Sequence, residues 1–296
     1  MRQRRSRVLR GAAIILVVAG LTAGCGSGSE QPPEPAKNAQ PAWPAKIAFD
    51  DSKSIFVMNP DGTGITRIAA GTDPNFAADG SKLVIGGGWI STMAPDGSGL
   101  RKLAEGGYDP TFSADGTRIA FARGGAIFVM NTDGGELRQL GDLPAPTGPN
   151  QASSQSPAFA PDGSTIAFTR GGAIWVMAAD GTGARQLLAD PHFNSNPVFS
   201  PDGATIVFAS NRGGKNRSEL YAMNADGTGV RALTDDWTVH PAFSPDGAQI
   251  VYTRARSAPE SGAEIWVMNR DGSDPHLLSD PEQVAQHASW SAGSGS

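Results

Sequence analysis

Five times along this chain an aromatic residue leads into the same short turn, and a sixth copy survives in worn form. The copies read PNFAADG (74–80), PTFSADG (110–116), PAFAPDG (157–163), PVFSPDG (197–203), PAFSPDG (241–247) and ASWSAG (288–293). Their aromatics, Phe76, Phe112, Phe159, Phe199, Phe243 and Trp290, stand 36 to 47 residues apart. Strand-length segments recurring at such a period are the signature of propeller blades, because one blade cannot bury its own apolar faces.

A second anchor lies inside each repeat. Apart from Met1, every methionine occupies one place: Met58, Met93, Met130, Met177, Met223 and Met268. Each ends a short apolar run (SIFV, WIST, AIFV, AIWV, ELYA, EIWV) and precedes an Asp-Gly turn. The glycine supplies the positive φ that a tight hairpin needs. The repeat therefore reads as four strands: P-x-(Phe/Trp)-(Ser/Ala), an IAF-like run, the run ending at Met, and a fourth such as LRKL or ARQL. The second and third are apolar on both faces and need cover on both sides. Radially stacked blades give that cover, and ring closure leaves only short edges. Proline at the head of the first strand suits an edge position, here the innermost strand beside the channel. The expected fold is all-β: one six-bladed β-propeller of four-stranded antiparallel blades over residues 46–292. The repeats open on a second strand, KIAF, and end on a first strand, so residues 287–292 are expected to complete blade 1. PAW (41–43) is the competing segment, but no Asp-Gly turn follows it.

The (Phe/Trp)-Ser-Pro-Asp-Gly turn, the IAF strand and the I-(Phe/Trp/Tyr)-V-Met-N-x-Asp-Gly hairpin resemble the TolB-type β-propeller repeat, over roughly five-sixths of the chain. That resemblance implies the propeller fold. For function it implies several options: a protein-binding platform, an accessory domain of prolyl oligopeptidase-like enzymes, or a polysaccharide lyase. TolB-type proteins carry a separate α/β domain ahead of the propeller; a different N-terminus stands in that place here.

Residues 1–24 read as a lipoprotein signal peptide. Five arginines in MRQRRSRVLR precede an apolar stretch, GAAIILVVAGLTAG, too short for a membrane span of about 20 residues and suited to an export signal. It ends in LTAGC, which resembles a lipobox with Cys25 as the lipidated residue. Cleavage there would remove five positive charges and no acid, moving the formal balance from −5 to −10. Residues 25–45, rich in Gly, Ser, Pro and Gln, read as a flexible tether of about 65–70 Å at full stretch. Residues 293–296 read as a disordered tail. The expected localisation is therefore exported and lipid-anchored to the cell membrane, facing periplasm or exterior.

Several chemistries are excluded by composition. Cys25 is the sole cysteine, so neither an internal disulfide nor a cysteine zinc cluster can form. No Lys/Arg-rich run lies beyond residue 10, against a nucleic-acid interface. No G-x-S-x-G or GxxxxGK[ST] motif occurs, and the Asp-Gly turns lack calcium-loop spacing.

The residue ahead of each first strand is always polar: Asp73, Asp109, Ser156, Asn196, His240 and His287. Repeat logic puts all six at the channel mouth as candidate ligand- or partner-binding residues. Among them His240, His287, Asp73 and Asp109 share an arc and have the donor types for a divalent metal; no other cofactor is expected. A solvated rim of backbone-capping side chains is the alternative. Tyr108, Phe193 and Trp237 are expected in the interblade loops of the same face, as candidate recognition aromatics or as packing over the blade tops. The reading is a monomeric, non-enzymatic binding propeller for a protein or envelope component, touching membrane only through its lipid. The rivals are a metal-dependent polysaccharide lyase, with Arg123, Arg170, Arg212 and Arg254 as charge for a uronate, and a scaffold or sensor feeding a partner enzyme.

Overall fold

The computed structural model describes residues 44–141, 154–188, 190–215, 217–256, 262–279 and 284–293. The signal peptide, Cys25, the tether as far as residue 43, with PAW (41–43), and the tail beyond 293 lie outside the described residues. Blade 1 opens with β1 (Ile47–Asp50), β2 (Ser54–Met58) and β3 (Thr66–Ala70). Blade 2 is β4 (Thr72–Phe76), β5 (Leu83–Gly86), β6 (Trp89–Met93) and β7 (Arg101–Glu105). Blade 3 is β8 (Tyr108–Phe112), β9 (Arg118–Arg123), β10 (Ala126–Asn131) and β11 (Arg138–Gln139). Blade 4 is β12 (Ser154–Phe159), β13 (Thr165–Arg170), β14 (Ala173–Ala178) and β15 (Arg185–Gln186). Blade 5 is β16 (Asn194–Phe199), β17 (Thr205–Ser210), β18 (Glu219–Asn224) and β19 (Arg231–Ala232). Blade 6 is β20 (Thr238–Phe243), β21 (Gln249–Ala255), β22 (Ala263–Asn269) and β23 (His276–Leu277). The last strand, β24 (Gln286–Trp290), returns to blade 1.

Each blade is a four-stranded antiparallel sheet, and β24 pairs with β1 to give the order β24-β1-β2-β3. The structure is a six-bladed β-propeller closed by its C-terminal strand. In the seam Ile47 faces Trp290 and Ala48 faces Ser289. Just beyond, Ser291 N donates to Lys46 O at 2.8 Å and Lys46 N donates to Ser291 Oγ at 2.8 Å.

The hairpins follow from the turn chemistry. In blade 3, Gly116 N donates to Ser113 O at 2.8 Å, and Gly116 adopts φ 67°. Only glycine takes that left-handed conformation without strain. Asp115 Oδ1 accepts from Thr117 N at 3.0 Å and from the Ser113 hydroxyl at 2.5 Å, which pins the turn. On the other side of the blade, aromatics of second and third strands face one another: Phe49 with Phe56, Phe121 with Phe128, Phe168 with Trp175, Phe208 with Tyr221. Their ring centres lie 5.4 to 6.5 Å apart, within the range of pairs that contribute about 0.5–1.5 kcal/mol beyond burial.

The core sits between blades rather than within them. Each of six apolar clusters draws on two neighbours, in the sequence 1-2, 2-3, 3-4, 4-5, 5-6 and 6-1. The second strands are buried through their middles, and from end to end in Ile47–Asp50 and Leu83–Gly86. All six repeat methionines are at most 3% exposed: a long, unbranched thioether fills the irregular gap at the blade base. The fourth strands of blades 3 to 6 shrink to two residues, leaving little outer edge for another chain to pair with.

Candidate functional site

The inner strands begin earlier than the P-x-(Phe/Trp) phrase suggests. Asp73, Asp109, Ser156, Asn196, His240 and His287 fall inside them, not ahead of them. All six adopt a left-handed backbone, with φ from 49° to 53°, and a shift in strand register falls at each. A bulge of this kind redirects one side chain out of the pleat. The conformation costs about 1–2 kcal/mol per non-glycine residue and is best tolerated by Asn, Asp and His, which fill five of the six places. Together with the residues after them, the six line a channel cavity of about 150 Å³.

The ring is chemically lopsided. On one side Asn196 Nδ2 donates to Ser156 Oγ at 3.0 Å, and Ser156 donates through both N and Oγ to Asp109 Oδ2, at 3.0 and 2.9 Å. On the other, Asp73 Oδ1 lies 3.3 Å from His287 Nδ1, and the His287 and His240 ring centres are 4.1 Å apart. His240 Nδ1 is buried and has no hydrogen-bond partner among the described residues.

Sequence reasoning missed the residue at the centre of this arrangement, Asp50. It ends β1 and is fully buried. Its Oδ1 accepts from Ser52 N at 2.8 Å. Its Oδ2 accepts from Asp73 N at 2.9 Å and stands 2.8 Å from His287 Nδ1. Equivalent places in blades 2 to 6 hold Gly86, Ala122, Thr169, Ala209 and Thr253. The two threonines serve the same backbone need, accepting from Asn196 N and His287 N at 3.1 Å. A carboxylate closing an otherwise apolar IAFD run was the available signal.

These contacts set the protonation. Burial resists charge on His287, but its hydrogen bond to Asp50 and the carboxylates of Asp50, Asp73 and Asp109 outweigh that and raise its pKa. Burial and the neighbouring His287 charge push His240 well below the usual imidazole range. Burial, with the Asp73 charge behind it, raises the Asp109 carboxyl.

The loop face around the channel mouth is apolar at intervals. Phe193 and Trp237 are 55% and 53% exposed, and Val284 and Trp89 follow at 37% and 38%. Phe193, Trp237 and Val284 each stand three residues before a channel residue, in consecutive blades 5, 6 and 1. Val284 and Trp89 were not anticipated; the shared three-residue offset would have found the first. Tyr108 departs from expectation. It is the first residue of β8, not part of an interblade loop, and packs half-buried against the cluster between blades 3 and 4. Arg123, Arg170, Arg212 and Arg254 do not line the channel cavity. Each lies over a third-strand aromatic, with guanidinium carbons 4.0, 5.4, 5.0 and 4.3 Å from the rings of Phe128, Trp175, Tyr221 and Trp266.

Comparison with known proteins agrees with this architecture. The sequence profile of the TolB beta propeller domain matches residues 110–294. The chain belongs to that family. Among solved structures, this family member resembles TolB from Acinetobacter baumannii, with a TM-score of 0.70 at 18% identity. The match covers 83% of this chain and 66% of that one, so the chain spans just under two-thirds of that protein's length. A TolB-assigned protein from Agrobacterium tumefaciens gives 0.66 at 20% identity, covering 83% and 92% of the two chains. Hydrazine synthase from Kuenenia stuttgartiensis gives 0.63 at 15%, covering 84% and 46%. At these identities the likeness is one of fold. No curated protein matches the sequence.

Proposed function

We propose that this chain is an exported lipoprotein, anchored through Cys25, whose propeller binds a protein or envelope component on its loop-rich face without catalysing a reaction. The observation that carries the reading is the apolar arc of Phe193, Trp237 and Val284 on three consecutive blades. Phe193 and Trp237 are more than half exposed, whereas the second-strand aromatics Phe49, Phe121, Phe168, Phe208 and Tyr252 are at most 2% exposed. Exposed aromatics framed by polar groups are the usual anchors of a recognition surface. The frame is present. Arg212 pairs with Asp190 at 2.8 Å beside Phe193, and Arg254 pairs with Asp236 beside Trp237. Arg212 and Arg254 are thus committed to aromatic and carboxylate partners, and Arg123 and Arg170 stack on third-strand rings, all outside the lining of the channel, which favours binding over a lyase. The test compares the full chain with a Phe193→Ala/Trp237→Ala variant in capture from solubilised envelope, followed by affinity measurement with the purified captured protein. Retention by the native chain and at least roughly tenfold weaker binding by the folded variant is expected. Equal retention by both would refute the assignment of this face.

A further inference from the structure

We infer that Asp50, Asp73 and His287 form a binding site for one divalent first-row cation in the wall of the central channel. The proposal is independent of the loop-face reading. Three donor atoms, one from each residue, all lie within 4.8 Å of one another. Two of the spacings are fixed by the seam: His287 Nδ1 is 2.8 Å from Asp50 Oδ2 and 3.3 Å from Asp73 Oδ1. Adjacent ligand atoms on an ion with bonds of about 2.0–2.2 Å stand about 3 Å apart or slightly more. Both spacings from His287 are therefore within tenths of an ångström of what an ion needs, and the two carboxylate oxygens, no more than 4.8 Å apart, would close around it.

The site is built rather than a chance meeting of acids. The far oxygen of each carboxylate is already engaged: Asp50 Oδ1 accepts from Ser52 N at 2.8 Å, and Asp73 Oδ2 accepts from Thr72 Oγ1 at 3.0 Å. Each carboxylate is thereby oriented with one oxygen toward His287, the outer-shell arrangement that metal sites use. Strained, left-handed backbone at Asp73 and His287 aims both into the same space. A second, separate observation points there too. The His240 ring packs against His287 at 4.1 Å, and its Nδ1 is buried without a partner among the described residues. An unsatisfied buried nitrogen carries a cost that a water or ligand on the ion can relieve. The cavity of about 150 Å³ has space for several waters at about 30 Å³ each, so the ion would keep open positions toward the channel.

The donor set selects the cation. One imidazole nitrogen with two carboxylates suits Mn²⁺, Fe²⁺, Co²⁺ or Zn²⁺; Ca²⁺ and Mg²⁺ prefer oxygen alone. Asp50 ends β1 and His287 sits in β24, so the ion would tie the closing strand to its neighbour, and Asp73 would add blade 2. Binding should therefore stabilise the ring seam.

The full chain, purified in detergent and stripped with chelator, is loaded with MnCl₂, ZnCl₂ or CaCl₂, desalted and assayed for bound metal and unfolding temperature. About one equivalent of Mn²⁺ or Zn²⁺ per chain is expected, with a higher unfolding temperature, and no such effect from Ca²⁺. Asp73→Asn and His287→Gln should each weaken retention roughly tenfold or more. Asp73→Asn is the safer variant, because among the described residues Asp73 Oδ1 meets His287 alone and the amide oxygen can keep the Thr72 contact. Co²⁺ loading supplies a visible-absorption signature that a purely structural role for these residues would not produce. Failure of the native chain to retain either metal would overturn the proposal, as would retention undiminished in both folded variants. Metal retention by the native chain, with equal partner capture by it and the Phe193→Ala/Trp237→Ala variant, would count against the loop-face reading alone.

Discussion

The ring closure described above can be tested with a matched set of turn glycines. Gly80, Gly116 and Gly163 hold equivalent places in the first hairpins of blades 2, 3 and 4, at φ 67°, 67° and 69°. Alanine at any of them should cost about 1–2 kcal/mol for the left-handed backbone. Their surroundings differ. A Cβ at Gly116 or Gly163 meets nothing within 4 Å, whereas at Gly80 it would overlap the carbonyl oxygen of Ala292. Relief of that clash requires displacement of the segment after β24, which opens the two Lys46–Ser291 hydrogen bonds at 2.8 Å. At about 1 kcal/mol each, Gly80→Ala should therefore be about 2 kcal/mol less stable than Gly116→Ala or Gly163→Ala. Urea unfolding followed by tryptophan fluorescence measures the difference, and an unchanged denaturant slope would show that it arises in stability. Equal loss in all three variants, within about 0.5 kcal/mol, would refute closure by the C-terminal segment and return PAW (41–43) to consideration.

Two further perturbations read other parts of the argument. Phe208 is fully buried between blades 4 and 5, so Phe208→Ala should lose about 3–5 kcal/mol; a loss below 1 kcal/mol in the same urea assay would contradict a core placed between blades. The turn aspartates give a pH dependence. The hydroxyl of Ser113, then Thr117, holds Asp115 down to about 2, and hydroxyl and backbone donors likewise lower Asp61, Asp96, Asp162, Asp180, Asp226, Asp246 and Asp271. Carboxyls with depressed folded pKa values contribute stability that is complete above their unfolded pKa near 4 and lost as pH falls through the folded value. The urea midpoint should therefore drop between pH 4 and pH 2, less so in Asp115→Asn, and an unchanged midpoint over that range would refute this account of the turns.

The fold was legible because its markers are local. An Asp-Gly hairpin, an aromatic three residues ahead of its aspartate and a methionine at the base of the third strand each carry their own short-range physics, and six copies average out the exceptions. The channel ring was legible for a related reason. Bulged left-handed positions favour Asp, Asn and His, so polar identity marked the place without the bulge being visible. Asp50 was not legible, because its importance comes from His287, 237 positions away, across a seam that local pattern cannot pair. Tyr108 misled for the opposite reason. The strand begins earlier than its proline suggests, and an aromatic that reads as loop is packed as core. The arginines ending the second strands were visible as charge, but their stacking on third-strand rings depends on cross-strand register.

The Lys46–Ser291 contact joins residues 245 positions apart, and this has a consequence in time. A chain emerging N-terminus first presents β1, β2 and β3 long before β24 exists. Blade 1 must wait as a three-stranded sheet with an unpaired inner edge, the kind of edge that recruits foreign strands, while blades 2 to 6 form from contacts near in sequence. Strand β24 therefore acts as the completing element of the ring. Until it pairs with β1, the ring stays open at blade 1, and its closure carries the loop-entropy cost of a contact far apart in sequence.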